Sequence, residues 1–133
     1  METPPLERRE TQARKAEWLA AMRWRRRVSA ALRDAGLTFT QWLVLSATQE
    51  VIESSGHAVS HKQVGARVEL DAATICQVMR ALQEKDLLSY DVDMTGKAWQ
   101  VFLNQNGQRL LREQSARVEA ASASPRPHST ALR

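Results

Sequence analysis

The stretch from Val59 to Leu88 constrains the fold most, because it predicts two short helices joined by a tight turn. Ser60 is a preferred N-cap residue, and Gln63 three positions later completes a capping box. Asp71 is a second N-cap candidate, so a new helix is expected to begin directly after it. About four residues separate the two helices, and so short a connection makes them cross sharply. The pattern predicts a helix-turn-helix.

The second helix of this pair is predicted to have one buried and one exposed side. Its apolar side chains recur three and four positions apart, which places them on one narrow face. Small and hydrogen-bonding side chains lie opposite, where they can contact base edges in a DNA major groove. An ordinary amphipathic helix is the alternative interpretation. The apolar face comprises Ile75, Val78, Met79 and Leu82, and the polar face with its flanks comprises Ala73, Thr74, Cys76, Gln77, Arg80 and Glu84.

A β-hairpin is predicted directly after the helix-turn-helix. Residues 87–92 alternate weakly between apolar and polar side chains, residues 94–97 suit a turn, and residues 99–103 form a strong strand pattern. A helix-turn-helix that is followed by a two-stranded hairpin is a winged helix. Residues 57 and 58, which precede the helix-turn-helix, are candidates for a short strand beside this wing.

With these elements in place, the chain resembles the MarR family of bacterial transcriptional regulators. Residues 101–107, with the sequence VFLNQNG, are similar to the V-x-L-T-x-x-G motif that closes the wing in that family. The resemblance also includes the helix-turn-helix itself and covers about half of the chain. The order and spacing of these motifs support the resemblance, and no single motif is decisive. Upstream it includes Leu37, Thr38, Gln41 and the run Leu43–Leu45.

Three positions depart from the family pattern. Glu69 occupies the place of a turn glycine, where a left-handed backbone conformation would cost about 1 kcal/mol. The wing tip of the family typically has Asp-x-Arg, whose arginine reaches the minor groove. Residues 95–97 here are Thr-Gly-Lys, so Lys97 is expected to contact the minor groove or phosphates. Asn104 replaces a threonine N-cap, and both residue types cap helices well.

The resemblance implies a homodimeric, sequence-specific DNA-binding transcriptional regulator, expected to be a repressor that a small molecule releases. A two-fold symmetric dimer requires a pseudo-palindromic double-stranded operator with half-sites about 10 bp apart, or a multiple of that. Gln77 and Arg80 are expected to make the base contacts. The full set of expected DNA-binding residues is Ser60, Lys62, Ala73, Thr74, Cys76, Gln77, Arg80 and Lys97.

The 133 residues are expected to form a single domain of mainly α class with a small β-hairpin (α+β). Residues 6–35 lack proline and glycine and predict one long helix that Gly36 ends. In the family, the first and last helices make the dimer, so residues 6–35 and 105–121 are the expected dimerisation helices. Residues 38–103 form the winged helix-turn-helix core, and residues 122–133 are expected to be a disordered tail.

The charge distribution favours a second interpretation. The net charge is +4, yet residues 59–103 contain five basic and six acidic side chains. Because non-specific DNA affinity depends on neutralising phosphates, a nearly neutral winged helix argues against tight DNA binding. The alternative function is therefore a winged-helix protein–protein interaction module that does not bind DNA.

The sequence does not favour catalysis, a cofactor or a metal site. Its five glycines are scattered, so no phosphate-binding loop is expected. His57 and His61 straddle a helix start, and with Cys76 they make only a weak metal hypothesis. No apolar run has membrane-spanning length and no signal peptide is recognisable, so a cytoplasmic protein is expected. The single cysteine excludes an intrachain disulfide, and its place beside the polar face gives a minor hypothesis of a redox switch.

The prediction of an effector site rests on the position of Arg25. The helical periodicity of residues 6–35 places it toward the apolar side, between Trp18 and Leu32, where a buried cation requires an anion. A carboxylate of the partner chain is one candidate. The other is an aromatic or phenolic acid held between aromatic walls, in the region where effectors bind in the family. The predicted effector-binding residues are Trp18, Met22, Arg25 and Trp42.

Overall fold

The computed structural model describes residues 5–92 and 99–123, which form five α-helices and one antiparallel two-stranded sheet. This order confirms the mainly α fold with one hairpin. A single 3-10 turn, Arg33–Ala35, continues the first helix. The elements in chain order are α1 (Leu6–Leu32), α2 (Phe39–Ser55), α3 (His61–Val68), α4 (Ala72–Glu84), β1 (Leu88–Val92), β2 (Trp99–Leu103) and α5 (Gln105–Ser122).

Helix α1 is the predicted long N-terminal helix, and only its C-terminal third contributes to the core. Val28 and Leu32 are fully buried, whereas residues 5–21 are exposed. The helix and its 3-10 turn end at Gly36, which has the left-handed conformation (φ +71°) that glycine adopts without strain.

Helix α2 begins with a capping box. The Thr38 hydroxyl accepts the Gln41 N–H and the Gln41 side chain accepts the Thr38 N–H, both at 3.1 Å. The helix continues to Ser55. One side of α2 packs on α3, α4 and β2, while another side lines an open cleft. Trp42, Leu43 and Ser46 lie on the cleft side and are half-buried.

Helices α3 and α4 form the predicted helix-turn-helix with a three-residue turn, residues 69–71. Both predicted N-caps are present, because Ser60 accepts the Gln63 N–H and Asp71 accepts the Thr74 N–H. Glu69 has a left-handed conformation (φ 57°, ψ 42°), so it adopts the turn geometry without a glycine.

The wing is the hairpin β1–β2, paired from Leu88↔Leu103 to Val92↔Trp99. Val59 forms an isolated antiparallel bridge with Val101 through hydrogen bonds of 3.2 and 2.7 Å. This bridge is the expected short strand beside the wing, one residue later than predicted. The predicted turn at residues 94–97 lies outside the described residues.

Helix α5 follows β2 with no loop. Asn104 caps it by accepting the Gly107 N–H at 2.9 Å, as predicted. A Cβ atom at Gly107 would collide with the backbone carbonyl of Leu87, so this position of the family motif has a steric reason for glycine. Near its end α5 packs along α1, where Trp24 donates to the Ser122 hydroxyl at 2.7 Å. Of the expected tail, residues 124–133 lie outside the described part of the chain.

The hydrophobic core is continuous from α1 to α5 and fixes the orientation of α4. Three side chains of the predicted apolar face, Ile75, Met79 and Leu82, are at most 2% exposed. Because one side of α4 is buried this completely, its opposite side faces solvent. The other buried apolar residues are Val28, Leu32, Leu37, Val44, Leu45, Ala47, Val59, Val64, Leu87, Leu88, Val101, Leu103 and Val118.

Candidate nucleic-acid interface

The exposed side of α4 is the surface that the sequence predicts to contact DNA. Gln77 and Arg80, one turn apart, are both exposed, and so are Ala73 and Cys76. Thr74 is half-buried, and its backbone N–H donates to the Asp71 carboxylate at 2.7 Å. The exposed side therefore carries an amide and a guanidinium, which are groups that form paired hydrogen bonds with base edges.

The carboxyl group of Asp71 is held in its ionised form by the cap itself. The backbone and side-chain hydrogen bonds from Thr74 lower the pKa of Asp71 below its ordinary value. A charged N-cap also interacts favourably with the positive end of the α4 dipole. The start of α4, which would enter a groove first, is thus firmly capped at neutral pH.

The start of α3 adjoins this exposed side. Lys62 is exposed, while the Ser60 hydroxyl is occupied by the capping box. His61, between them, lies 3.6 Å from Cys76 of α4, measured from Nδ1 to Sγ. This contact places the start of α3 beside the exposed side of α4. We call the predicted residues of these two helices the reading surface: Ser60, Lys62, Ala73, Thr74, Cys76, Gln77 and Arg80. The predicted wing residue, Lys97, lies outside the described residues.

The prediction from sequence missed His61 and Tyr90 as members of this surface. Nε2 of His61 lies 3.2 Å from the Tyr90 hydroxyl, and the two ring centroids are 5.4 Å apart. Partial burial disfavours the charged form of both side chains, so it lowers the pKa of His61 and raises the pKa of Tyr90. The sequence offered one signal, a histidine at the first position of α3, but its neighbours come from α4 and β1.

The predicted effector residues do not converge within one chain. Trp18 is 61% exposed on the free part of α1. Arg25 is exposed as well, which corrects the expectation of a buried cation. Its guanidinium lies over the ring of Phe39, 5.1 Å from the centroid, so a cation–π contact replaces the expected anion. Met22 is half-buried on the same helix.

Phe39 links Arg25 to a cluster of aromatic rings that the sequence did not predict. Its ring centroid lies 5.3 Å from that of Trp24 and 5.7 Å from that of Trp42. The Trp24 and Trp42 centroids are 6.2 Å apart. We call Trp24, Phe39 and Trp42 the aromatic cluster. An aromatic wall beside one guanidinium is therefore present, with Phe39 and Trp24 in place of Trp18 and Met22.

Two cavities lie on either side of the aromatic cluster. A recess of about 420 Å³ is lined by Arg25, Arg33 and Phe39, together with hydroxyl groups from the α1–α2 connection. A larger cleft of about 940 Å³ runs between α2 and α5 and is lined by Trp42, with Arg112 on the opposite wall. Arg25 and Phe39 thus line one cavity, and Trp42 lines the other.

Within residues 5–92 and 99–123, no three or more His, Cys, Asp or Glu side chains group as they would around a metal ion. The helices of this part of the chain are each too short or too polar to cross a membrane.

Comparison with known proteins gives the fold. Neither a family model nor a curated protein matches the sequence. Among solved structures, a MarR-family transcriptional regulator from Rhodococcus sp. RHA1 is 24% identical with a TM-score of 0.72, over 90% of this chain and 80% of that one. CouR from Rhodococcus jostii RHA1, bound to p-coumaroyl-CoA, is also 24% identical, with a TM-score of 0.66 over 80% of this chain and 70% of that one.

A third protein, a MarR-family protein from Mycobacterium tuberculosis, has been solved in complex with DNA and with p-aminosalicylic acid. The DNA complex is 21% identical to this chain, with a TM-score of 0.66 over 91% of this chain and 82% of that one. The p-aminosalicylic acid complex is 19% identical, with a TM-score of 0.65 over 97% and 93%. The chain therefore has the winged helix-turn-helix fold of MarR-family regulators.

Proposed function

We propose that this protein is a sequence-specific DNA-binding transcriptional regulator that acts as a homodimer and is released from DNA by a small aromatic acid. The observation that carries the proposal is the reading surface, where the exposed side of α4 presents Gln77 and Arg80 while its other side is fixed in the core. Proteins with the same fold have been solved in complex with DNA, which supports this use of α4. No catalytic role is proposed.

In this proposal Gln77 and Arg80 read the bases. Arginine pairs with two acceptors of guanine, and glutamine pairs with a donor and an acceptor of adenine. Gln77 lies near the middle of α4 and Arg80 lies one turn later on the same exposed side, so both can reach the floor of the major groove. Ala73, Thr74 and Cys76 have short side chains, so they allow the helix backbone to approach the groove closely.

Phosphate contacts are assigned to the start of α3 and to the wing. Lys62 is exposed beside the reading surface, and Ser60 precedes it at the helix N-terminus. Backbone N–H groups at a helix N-terminus bind phosphate through the helix dipole. Lys97 is assigned the corresponding contact from the wing. Since residues 59–103 are nearly neutral overall, few such contacts are expected and the affinity for random DNA is modest.

The homodimer is assigned to α1 with help from α5. The large apolar side chains in the first half of α1 are not buried within one chain. Leu6 is 61% exposed, Trp18 is 61% exposed and Leu19 is 49% exposed. A second copy that packs on this helix would cover them. A monomer by light scattering at micromolar concentration, unchanged when DNA is added, would contradict this assignment.

The effector is assigned to the recess beside Arg25. Its guanidinium can pair with a carboxylate through two parallel hydrogen bonds, and Phe39 offers a ring for an aromatic acid to pack on. Two ligands solved with proteins of this fold, p-coumaroyl-CoA and p-aminosalicylic acid, contain an aromatic ring. Binding at the junction of α1 and α2 would shift the dimerisation helix relative to the reading surface, which is how we expect it to lower DNA affinity.

The competing function is a winged helix that binds protein, favoured by the neutral charge of residues 59–103. Fluorescence anisotropy with a random-sequence duplex at increasing salt separates the two. For a DNA-binding protein, the logarithm of the affinity falls linearly with the logarithm of the salt concentration, because binding releases counterions from the DNA. The Lys62→Ala variant should reduce the slope of this line by about one unit. Arg67→Ala, at the end of α3 where the side chain pairs with Glu50 of α2, is the matched control and should leave the slope unchanged. Absence of binding at low salt would overturn the proposal.

A further inference from the structure

The residue that caps the end of α4 contacts the wall of the recess beside Arg25. Lys85, the C-cap residue of α4, donates from Nζ to the backbone carbonyl of Gly36 at 2.9 Å. Gly36 lies in the connection between α1 and α2 and lines the recess. Within residues 5–92 and 99–123, no other hydrogen bond joins the lining of the recess to α4 or its C-cap. Lys85 is therefore the polar link between the recess and α4.

The recess is positively charged, and Lys85 adds to that charge. The described lining contains the guanidinium groups of Arg25 and Arg33 and no carboxylate. Asp34, which follows Arg33 in the sequence, pairs with Arg117 of α5 at 3.7 Å. The Lys85 ammonium has three N–H donors, and the Gly36 carbonyl occupies one of them. Two donors therefore remain for an anion that binds beside Gly36.

We propose that Lys85 is a third cationic contact for the carboxylate of the effector and that effector binding thereby holds the end of α4 against the recess. The inference rests on the proposed function and adds the residue through which the effector acts on α4. Lys85 and Gly36 are both exposed, so water competes for their hydrogen bond and the bond contributes little by itself. A carboxylate in the recess adds the attraction between opposite charges, so it strengthens the contact.

The residue after Lys85 attaches the end of α4 to α5. The Asp86 carboxylate accepts a hydrogen bond from the side-chain amide of Asn104 at 3.2 Å and from that of Asn106 at 2.8 Å. The two residues that follow α4 therefore contact the α1–α2 connection on one side and the start of α5 on the other. Both contacts lead to helices that are assigned to the dimer, so the end of α4 is the place where the dimer can constrain the reading surface.

Holding the end of α4 lowers DNA affinity for a geometric reason. A dimer on DNA must place its two reading surfaces in successive major grooves at one fixed spacing. An effector that holds α4 to the α1–α2 connection removes the freedom with which α4 adjusts to this spacing. The effector keeps the Lys85 contact while α4 is held and loses it when α4 moves. This difference in affinity between the two arrangements is what a ligand needs in order to shift an equilibrium.

The affinity for an acid tests the contact itself. Salicylate is the probe, and tryptophan fluorescence follows its binding to the full chain without DNA. Lys85→Met retains a long side chain and removes the ammonium, so its Kd for salicylate should rise about two- to fivefold, the contribution of an exposed charge pair. Lys85→Arg should bind nearly as the wild type does. Gln83→Met, at an exposed position in the last turn of α4, is the matched control and should retain the wild-type Kd. Equal Kd values for Lys85→Met and the wild type would overturn the inference.

The effect of salicylate on DNA binding is the second readout. The Kd for a duplex selected from a random library is measured for each variant by fluorescence anisotropy, with and without saturating salicylate. The ratio of the two values is the coupling factor, and a general change in DNA affinity cancels in it. The factor should be at least about fivefold in the wild type and should fall below about twofold in Lys85→Met. Lys85→Arg and Gln83→Met should keep the wild-type factor. An undiminished factor in Lys85→Met would overturn the inference.

The two readouts separate this inference from the proposed function. If the wild type bound salicylate but no DNA, and Lys85→Met bound salicylate more weakly, the proposed function would fail and Lys85 would stand as a contact of the recess. If the wild type bound DNA and released it with salicylate, and Lys85→Met did the same, the inference would fail and the proposed function would stand. A wild type without saturable salicylate binding would overturn the inference together with the effector assignment, whatever its affinity for DNA.

Discussion

The side-chain amide of Asn104 donates a 3.0 Å hydrogen bond to the backbone carbonyl of Asp86. Asp86 follows α4 in a left-handed conformation (φ 60°), and Asn104 is the N-cap of α5. One side chain therefore joins the end of α4, the base of the wing and the start of α5. The family threonine at this position could cap the helix but could not donate to Asp86 through an amide.

The two functions of Asn104 can be separated by two variants. Asn104→Thr should retain the cap and lose the bond to Asp86, at a cost of about 1 kcal/mol in the free energy of unfolding. Asn104→Ala should lose the cap in addition, for a total of about 2 kcal/mol. Urea denaturation followed by circular dichroism measures both. Equal stability of Asn104→Thr and the wild type would show that the bond to Asp86 contributes nothing.

Glu69 is strained in the turn of the helix-turn-helix. Its left-handed backbone is unfavourable for a residue with a Cβ atom, so Glu69→Gly should stabilise the protein by about 1 kcal/mol. Glu69→Ala has the same strain and should show little gain, which makes it the matched control. Thermal unfolding of the two variants gives the comparison. Equal melting temperatures for the glycine and alanine variants would contradict the argument.

His61 should make the stability depend on pH. Its pKa in the folded protein lies below the ordinary value of 6.5, because burial disfavours the charged ring. Between these two values the unfolded chain binds more protons than the folded one, so stability falls as the pH falls through 6.5 toward the folded-state pKa. Urea midpoints at pH 7.5 and at lower pH measure the effect. The His61→Gln variant should lose less stability over this range than the wild type, and an equal loss would contradict the assignment.

Arg25 should determine the response to aromatic acids. Salicylate-type acids, titrated against the fluorescence of Trp24 and Trp42, should quench it with saturation in the wild type. Arg25→Ala should lose at least about 1.5 kcal/mol of binding free energy, the contribution of a charge-assisted hydrogen bond. Arg26→Ala, an exposed neighbour on α1, is the control. A response that survives Arg25→Ala would leave this arginine to the dimer interface.

Local signals made most of the fold predictable from the sequence. Capping residues at Ser60, Asp71 and Asn104 gave helix starts, and Gly36 ends the 3-10 turn that continues the first helix. Each of these signals acts within one turn of its helix, so no knowledge of tertiary structure is needed. The exposed side of α4 was likewise predictable, because its burial follows from the spacing of its apolar residues.

The side-chain contacts between elements were not predictable in the same way. Helical periodicity placed Arg25 toward the apolar side, but its long side chain reaches out over Phe39 of the next helix. The contacts of His61 with Cys76 and Tyr90 join residues 15 and 29 positions apart. Such contacts depend on how α3, α4 and β1 pack, which a single sequence does not specify residue by residue.

The most direct test of the account is selection of DNA sites from a random-sequence library, followed by affinity measurements with Gln77→Ala and Arg80→Ala. The wild type should enrich a pseudo-palindromic site. Each variant should lose about 1–3 kcal/mol on that site together with the preference at one base position. Ser54→Ala, at an exposed position in the last turn of α2 and outside the reading surface, is the control and should behave as the wild type. If the wild type enriches no sequence, or if both variants bind the selected site with unchanged affinity and preference, the central claim is contradicted.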